Sequence, residues 1–164
     1  MAGHKSTTST STSISAMDFR GAVISAALND DLENTKSIGS YLERNEANMI
    51  PHSLPEHLRL LLKQKGMRRA DVARGSLLDR KYIYQIFDGT KTPSRDKLIA
   101  MAFGLRLSVE EAQPMLKLSE NRELYVRDRR DAIILFALQR NMSIFETNDL
   151  LYEYGYAVLG VPEE

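Results

Sequence analysis

The sequence predicts an all-α protein, and three observations lead to that fold class. Apolar residues recur at three- and four-residue spacing, as Tyr82, Ile83 and Ile86 do, which places them on one face of a helix. Residue types that favour helix N-termini stand before such segments, as Asp79 does here. A run of seven apolar residues, 132–138, follows a charged stretch and predicts a helix that is buried nearly all round.

The composition limits the size of the core and the kinds of partner. A chain of 164 residues can bury one good core or two small ones. Its formal net charge is zero, but residues 54–107 carry +7, residues 1–53 carry −2 and residues 108–164 carry −5. A basic middle between acidic flanks is typical of a phosphate-binding module inside a soluble regulator, although Lys and Arg are common on every protein surface.

The residue types also argue against several classes of protein. There is no cysteine, which excludes a disulfide framework and a thiolate metal site, and His52 and His57 lack the partners that a metal site needs. We find no paired carboxylates in a cleft pattern, no phosphate-binding glycine loop and no Ser–His or Cys–His arrangement, so we expect neither an enzyme nor a cofactor. No apolar run approaches the length of a membrane span, and the polar N-terminus does not resemble a secretion signal, which favours a soluble cytoplasmic protein.

Residues 1–16 form a Ser/Thr-rich tail that we expect to be disordered. The tail has too few apolar residues to offset the entropy lost on ordering. Two interpretations of it stay open, because composition alone does not separate them. The tail is either in part a remnant of an expression tag or a phosphoacceptor segment for a Ser/Thr kinase.

Residues 17–50 are predicted to form an N-terminal helical segment with two helices. The first begins after Asp18 and is broken by the polar run 29–34, and the second begins after Ser37. The apolar face of the second helix comprises Ile38, Tyr41 and Leu42. Neither helix has an apolar face wide enough to make it stable alone, so both helices should dock on the next domain or on a second protomer. Residues 49–52 are predicted to be a linker, since Pro51 disfavours helix in the residue before it.

Residues 51–118 show five short helical patterns that we expect to form one domain. The first pattern begins at Ser53 or Pro55 and buries a stripe of leucines. The third ends at Gly89, which can adopt the left-handed conformation that helix ends favour. The predicted caps of the third, fourth and fifth helices are Asp79, Ser94 and Ser108.

Part of this domain closely resembles a known family, the Cro/C1-type (XRE) helix-turn-helix. The resembling residues are Ala73, 78–86, 89–93, Leu98, Ala102 and Leu105, and their spacing holds without a gap. The resemblance spans roughly residues 54–116 and implies a five-helix domain that places a recognition helix in the major groove of double-stranded DNA. Two positions depart from the pattern. Leu77 stands where the family usually has Gly, so the turn forms without a glycine or with strain, and Arg68-Arg69 stand where a capping Ser or Thr and a Gln are usual.

The resemblance also implies a set of DNA-contacting residues. By position in the recognition helix, residues 79–88, the residues that face base edges are Arg80, Lys81, Tyr84 and Gln85. Arg and Lys can donate to guanine, Gln can pair with adenine, and Tyr can either contact a thymine methyl group or bond a phosphate. The residues placed to contact phosphates are Arg69, Thr90, Lys91 and Arg95.

Residues 119–164 are predicted to be a C-terminal helical extension for packing or dimerisation. The charged cluster 127–131 suggests either an ion-pair network at a helix start, which we favour, or a catalytic or phosphate-binding group. In the last helix we expect Ile144, Phe145, Leu150, Leu151 and Tyr154 to face inward, and Asn148, Asp149 and Glu153 to face outward. The tyrosines at 152, 154 and 156 are expected at a packing seam rather than in a binding surface.

The extension and the segment 40–43 resemble, more loosely, those of a bacterial, Firmicutes-type group of XRE-like regulators. The favoured function is therefore a sequence-specific DNA-binding transcriptional regulator. It is expected to act as a homodimer on a two-fold operator. The alternative is an adaptor of helix-turn-helix fold that binds a protein partner such as a kinase or toxin, and it rests on Leu77, Arg68 and the acidic flanks.

Overall fold

A computed structural model describes residues 21–49 and 53–160, and within those residues every regular element is a helix. This confirms the all-α fold class. The chain divides into two compact units, residues 1–50 and residues 51–164. The C-terminal extension therefore belongs to the same compact unit as the helix-turn-helix segment. No helix of the described residues is both long and apolar enough to cross a membrane.

Within its described residues, 21–49, the first unit contains two helices and a short 3-10 turn. Helix α1 covers residues 21–34, α2 covers Ile38–Arg44, and the 3-10 turn covers Glu46–Asn48. Ser37 caps α2 as predicted, because its hydroxyl accepts the N–H of Ser40. The predicted Ser/Thr-rich tail and the predicted cap Asp18 lie outside the described residues.

The prediction that the polar run 29–34 breaks the first helix was wrong, since α1 continues through all of these residues. The polar side chains lie on an exposed part of the helix, where they need no burial. One of them, Asp31, accepts hydrogen bonds from Arg44 at 3.0 Å and from Asn45 at 2.7 Å, and so connects α1 to the end of α2. Of the predicted apolar face of α2, Tyr41 is buried, whereas Ile38 and Leu42 are exposed.

The described residues of the second unit, 53–160, form seven helices, with connections of three to ten residues between them. They are α3 (Leu54–Gln64), α4 (Arg69–Ser76), α5 (Arg80–Asp88), α6 (Arg95–Gly104), α7 (Val109–Leu118), α8 (Arg129–Gln139) and α9 (Ile144–Glu153). The predicted caps are confirmed, because the side chains of Ser53, Asp79, Ser94 and Ser108 each accept a backbone N–H of the following first turn. Helix α6 lies at the centre of the core, with every residue of 98–105 buried.

Helices α4 and α6 cross at two glycines. A Cβ atom added at Gly104 would lie 2.5 Å from the carbonyl oxygen of Val72, and one added at Gly75 would lie 3.0 Å from the Cα of Gly104. No side chain larger than hydrogen fits at Gly104 without moving a backbone. This close approach fixes the helix before the recognition helix onto the centre of the core.

The turn between α4 and α5 has the strained backbone expected from its lack of glycine. Leu77 lies in the left-handed region, with φ 59° and ψ 19°. For a residue with a Cβ this conformation costs roughly 1–2 kcal/mol. The C-terminal segment lies against this turn, since a Cβ added at Gly160 would lie 2.3 Å from the carbonyl oxygen of Ser76.

The hairpin α6–α7 corresponds to the hairpin α8–α9 when the residue numbers are shifted by 35. This correspondence is not among the predictions made from the sequence. When residues 94–125 are aligned with residues 129–160, eight of the 32 positions are identical. The identical pairs are Arg95/Arg130, Asp96/Asp131, Ile99/Ile134, Ala102/Ala137, Ser108/Ser143, Glu111/Glu146, Leu116/Leu151 and Leu124/Leu159. In each hairpin the Ser and Glu that are identical in the two copies form a capping box at the start of the second helix.

The two hairpins also share irregular backbone features and side-chain hydrogen bonds. Their inter-helix turns place Arg106 at φ 55° and Asn141 at φ 54°. The side-chain amide of Gln113 bonds both backbone polar groups of Leu124, at 2.7 and 2.8 Å. The amide of Asn148 does the same for Leu159, at 2.8 and 2.9 Å. We conclude that residues 94–125 and 129–160 are two copies of one helical-hairpin repeat.

The two copies are joined by a reciprocal pair of ion pairs. Arg95 of α6 donates to both carboxylate oxygens of Asp131 in α8, at 3.1 and 2.8 Å. Arg130 of α8 donates to both oxygens of Asp96 in α6, at 2.8 and 3.0 Å. The expectation of an ion-pair network in the cluster 127–131 is thus confirmed for Arg130 and Asp131.

Several predicted orientations in the C-terminal helices were wrong. Phe136 of α8 is 43% exposed, with the Arg140 guanidinium 3.7 Å from its ring centroid, so α8 is not buried all round. Phe145 and Tyr154 face solvent rather than the core, Tyr152 is 81% exposed rather than at a packing seam, and Asn148 is half-buried.

The reason for these errors is the buried face of α9, which consists of Ile144, Thr147 and Leu151. Thr147 belongs to this face although it is polar, because its hydroxyl donates to the carbonyl oxygen of Ser143 at 2.8 Å. The apolar residues alone therefore indicated the wrong side of the helix.

The buried ion pair should matter far more for stability than its exposed counterpart. The Asp131 side chain is 2% exposed, whereas the Asp96 side chain is 50% exposed. We expect Asp131→Asn to lower the free energy of unfolding by roughly 3 kcal/mol, because Arg95 would be left partly buried without its counter-charge. Asp96→Asn, the matched control at the equivalent repeat position, should cost less than about 1 kcal/mol. Urea unfolding measures both, and equal losses would contradict this interpretation of the two pairs.

His57 of α3 should make stability depend on pH. Both ring nitrogens are buried and have no hydrogen-bond partner among the described residues, and burial lowers the pKa of this imidazole below its ordinary 6.5. His57 therefore binds a proton more readily in the unfolded chain than in the folded one. The free energy of unfolding is highest above the pKa that His57 has in the unfolded chain, and it falls as the pH drops below that pKa. We expect His57→Leu to flatten the decline in unfolding free energy between about pH 7 and pH 5. An unchanged pH slope of urea unfolding would show that His57 does not contribute.

Candidate nucleic-acid interface

The candidate interface is built on α5 and on the first turn of α4. Helix α5 begins after Asp79, whose carboxylate accepts the N–H of Tyr82 at 3.3 Å, and ends at Gly89 in the left-handed conformation. Ile83, Ile86 and Phe87 face the core and fix the rotation of the helix. Consequently the opposite face is presented outward: Arg80 and Lys81 are exposed, and Tyr84 and Gln85 are half-buried.

Tyr84 lies between two arginines. The Arg69 guanidinium is 4.6 Å from the centroid of the Tyr84 ring, and the Arg80 guanidinium is 5.4 Å from it. Arg80 Nε also donates to the Tyr84 hydroxyl at 3.0 Å. Cation–π contacts of this kind restrict both guanidinium groups without neutralising their charge. Arg69 additionally makes a 3.4 Å contact with the carboxylate of Asp88, an exposed and therefore weak ion pair.

The exit of α5 is a compact turn organised by one carbonyl. The carbonyl oxygen of Gln85 accepts the N–H of Thr90 at 2.9 Å, the N–H of Lys91 at 3.3 Å and the Thr90 hydroxyl at 3.2 Å. The Thr90 hydroxyl proton is therefore already engaged. The Lys91 side chain is exposed, and no acidic side chain among the described residues forms an ion pair with it.

Unlike the other residues predicted to contact phosphates, Arg95 is held by several hydrogen bonds to residues 122–131. Besides its two bonds to Asp131, its Nε donates to the carbonyl oxygen of Arg122 at 2.7 Å and its Nη2 to that of Glu123 at 3.0 Å. The side chain is 19% exposed. The bonds to Asp131 tie Arg95 to the second repeat and the other two tie it to the end of the first, so a role in binding a phosphate would require breaking the buried pair. The sequence did not reveal this, because the partner lies 36 residues further along the chain.

The N-terminus of α4 is stabilised without the usual Ser or Thr. Asp71, at the third helical position, accepts the backbone N–H of Arg68 at 3.0 Å and pairs with Arg74. The backbone hydrogen bond from Arg68 and the two neighbouring arginines hold the pKa of the Asp71 carboxyl below its ordinary value of 3.8. The departure of Arg68 from the family pattern is thus compensated by Asp71, and Arg69 begins the helix with an exposed side chain.

The electrostatic character of this surface follows from which cations lack an acidic partner. Among the described residues, no ion pair neutralises Arg80, Lys81 or Lys91. The acidic side chains at the two ends of α5 have other partners: Asp79 caps the helix, and Asp88 contacts Arg69. In the same part of the chain, no group of three or more His, Cys, Asp or Glu side chains is arranged to hold a metal ion. The surface can therefore attract polyanions.

Comparison with protein families agrees with this geometry. Residues 58–111, about a third of the chain, match the family model described as helix-turn-helix. The match runs from Leu58 in α3 to the first turn of α7, and the repeat α8–α9 lies outside it. No curated protein and no solved structure matches the chain.

Proposed function

We propose, on the premise that residues 58–111 belong to the Cro/C1-type helix-turn-helix family, that the protein is a sequence-specific transcriptional regulator. A DNA-binding helix-turn-helix domain is what the family match supports directly. The observation that carries the finer proposal is the outward face of α5, where Arg80 and Lys81 are exposed and have no acidic partner among the described residues. A recognition helix needs such a face to enter the major groove.

In this proposal the base edges are read by Arg80, Lys81, Tyr84 and Gln85. Arg80 and Lys81 would donate to guanine O6 and N7, and Gln85 would pair with adenine. The Tyr84 ring supports this assignment, because its contact with Arg80 limits the conformations available to the guanidinium before DNA is bound. Tyr84 itself would contact a thymine methyl group at the edge of the groove.

Phosphate contacts would come from Arg69, Lys91 and Thr90, which flank α5 on both sides. Thr90 would have to exchange its bond to the Gln85 carbonyl for a bond to a phosphate oxygen. We leave Arg95 out of this set because the buried pair with Asp131 already engages it. Two chains would bind a two-fold operator in the cytoplasm, since one domain of this kind covers only a half-site.

Selection of binding sites from random DNA tests the proposal. We expect the protein to enrich a two-fold symmetric motif and the Arg80→Ala/Lys81→Ala variant to lose it. Arg80→Ala alone should relax the choice of base at one position per half-site and cost roughly 1–3 kcal/mol of binding free energy. The control is Lys117→Ala, an exposed lysine of α7 outside the proposed surface. Absence of any enriched sequence at low salt would sink the proposal and favour an adaptor function.

Lys91→Ala should act differently from Arg80→Ala. Because Lys91 is assigned to a phosphate, its loss should weaken binding to all sequences alike. It should also reduce the slope of log K against log salt concentration by about one. Fluorescence anisotropy with a selected site and a scrambled site, each at several salt concentrations, measures both quantities. A loss confined to the selected site would place Lys91 at a base instead.

A further inference from the structure

The second hairpin repeat exposes aromatic side chains where the first repeat exposes charged ones. Glu110 and Lys117 of α7 are both exposed. The equivalent positions in α9 hold Phe145, which is 60% exposed, and Tyr152, which is 81% exposed. The two hairpins share the inter-helix turn, the capping box of the second helix and the amide hydrogen bonds, so the first repeat is a suitable reference for the solvent-facing residues at these positions. The exchange of charge for aromatic surface is therefore specific to α9.

These aromatic residues share one face of α9 with acidic ones. Phe145, Asp149 and Tyr152 follow each other at four- and three-residue spacing and lie opposite the buried residues of the helix. Glu146 and Glu153 flank this row, and both are exposed. Helix α9 contains no Lys or Arg, so its outward face is acidic and aromatic. We call the five residues 145, 146, 149, 152 and 153 the α9 face.

The α9 face is unlike the end of a repeat array that meets only water. Terminal repeats usually carry a polar outer face, because nothing packs on them. In the same hairpin the Arg140 guanidinium covers the exposed Phe136 ring at 3.7 Å. Among the described residues no cation covers Phe145 or Tyr152 in this way. Tyrosine and phenylalanine with a polar rim are the residue types enriched in protein interfaces.

We propose that the α9 face binds a basic amphipathic helix of a partner protein. The aromatic rings would receive apolar side chains and the stems of Arg or Lys, and the three carboxylates would pair with the cationic heads. A second copy of the chain is a poor occupant for the same face, because Asp149, Glu146 and Glu153 would meet their own equivalents. The inference does not rest on the proposed DNA-binding function, since it uses a different helix of opposite charge.

The test uses the full chain and a fluorescent synthetic helical peptide composed of Leu, Lys and Arg in an amphipathic pattern. We expect binding that weakens with salt, and at least a tenfold loss, about 1.4 kcal/mol, with Phe145→Ser/Tyr152→Ser. The matched control is Glu110→Ser/Lys117→Ser at the equivalent positions of the first repeat, which should change affinity less than about twofold. All four positions are exposed, so both variants should keep the unfolding midpoint of the parent chain.

The proposal is overturned by any of three results. The first is peptide binding that is unaffected by Phe145→Ser/Tyr152→Ser. The second is equal binding of a peptide in which Glu replaces every Lys and Arg. The third is a light-scattering mass of two chains that falls to one chain in the Phe145→Ser/Tyr152→Ser variant, which would make the α9 face a contact between copies. Binding of DNA by the same variant is measured in parallel, so that failure of one function is not mistaken for failure of the other.

Discussion

The exchange of two Arg–Asp pairs between α6 and α8 is the interaction on which the second unit depends. The Asp131 side chain is 2% exposed and the Arg95 side chain 19%, so their attraction acts in a partly desolvated site and depends on full hydrogen bonding. That bonding is complete, because the carboxylate of Asp131 also accepts the N–H of Tyr125 and the guanidinium of Arg95 bonds two carbonyl groups. Because both pairs are bidentate, they restrict the position of one hairpin relative to the other.

The position of the recognition helix follows from that constraint through α6. Helix α6 is held by the ion pairs on one side and by the glycine crossing with α4 on another. Helix α4 ends at the turn around Leu77, and α5 begins directly after this turn. The side chains proposed to read DNA thus stand on a chain of rigid contacts that reaches into the C-terminal repeat. The second repeat, α8–α9, therefore helps to hold α5 in position, in addition to any binding role of its own.

Local sequence features predicted helices α3 to α7 well. Caps such as Ser94 and Ser108, and the end of α5 at Gly89, are determined by residues within one turn of the site, which is why the sequence reveals them. Features that depend on distant partners or on local side-chain hydrogen bonds are not visible in the sequence. The bonds of Arg95 to Asp131 join two different helices, and the orientation of α9 depends on Thr147, whose hydroxyl bonds the carbonyl oxygen of Ser143.

Gly104 also solves a problem that any duplicated hairpin creates. Two equivalent hairpins in one chain compete for the same docking site during folding, and a swapped arrangement would retain many of the same contacts. The position equivalent to Gly104 in the second copy is Gln139. Since even a Cβ at this position would come within 2.5 Å of the Val72 carbonyl oxygen, α8 cannot replace α6 against α4. The absence of a side chain at residue 104 thus determines which of the two copies packs at the centre of the core. It disfavours a misfolded arrangement in which the two hairpins exchange places.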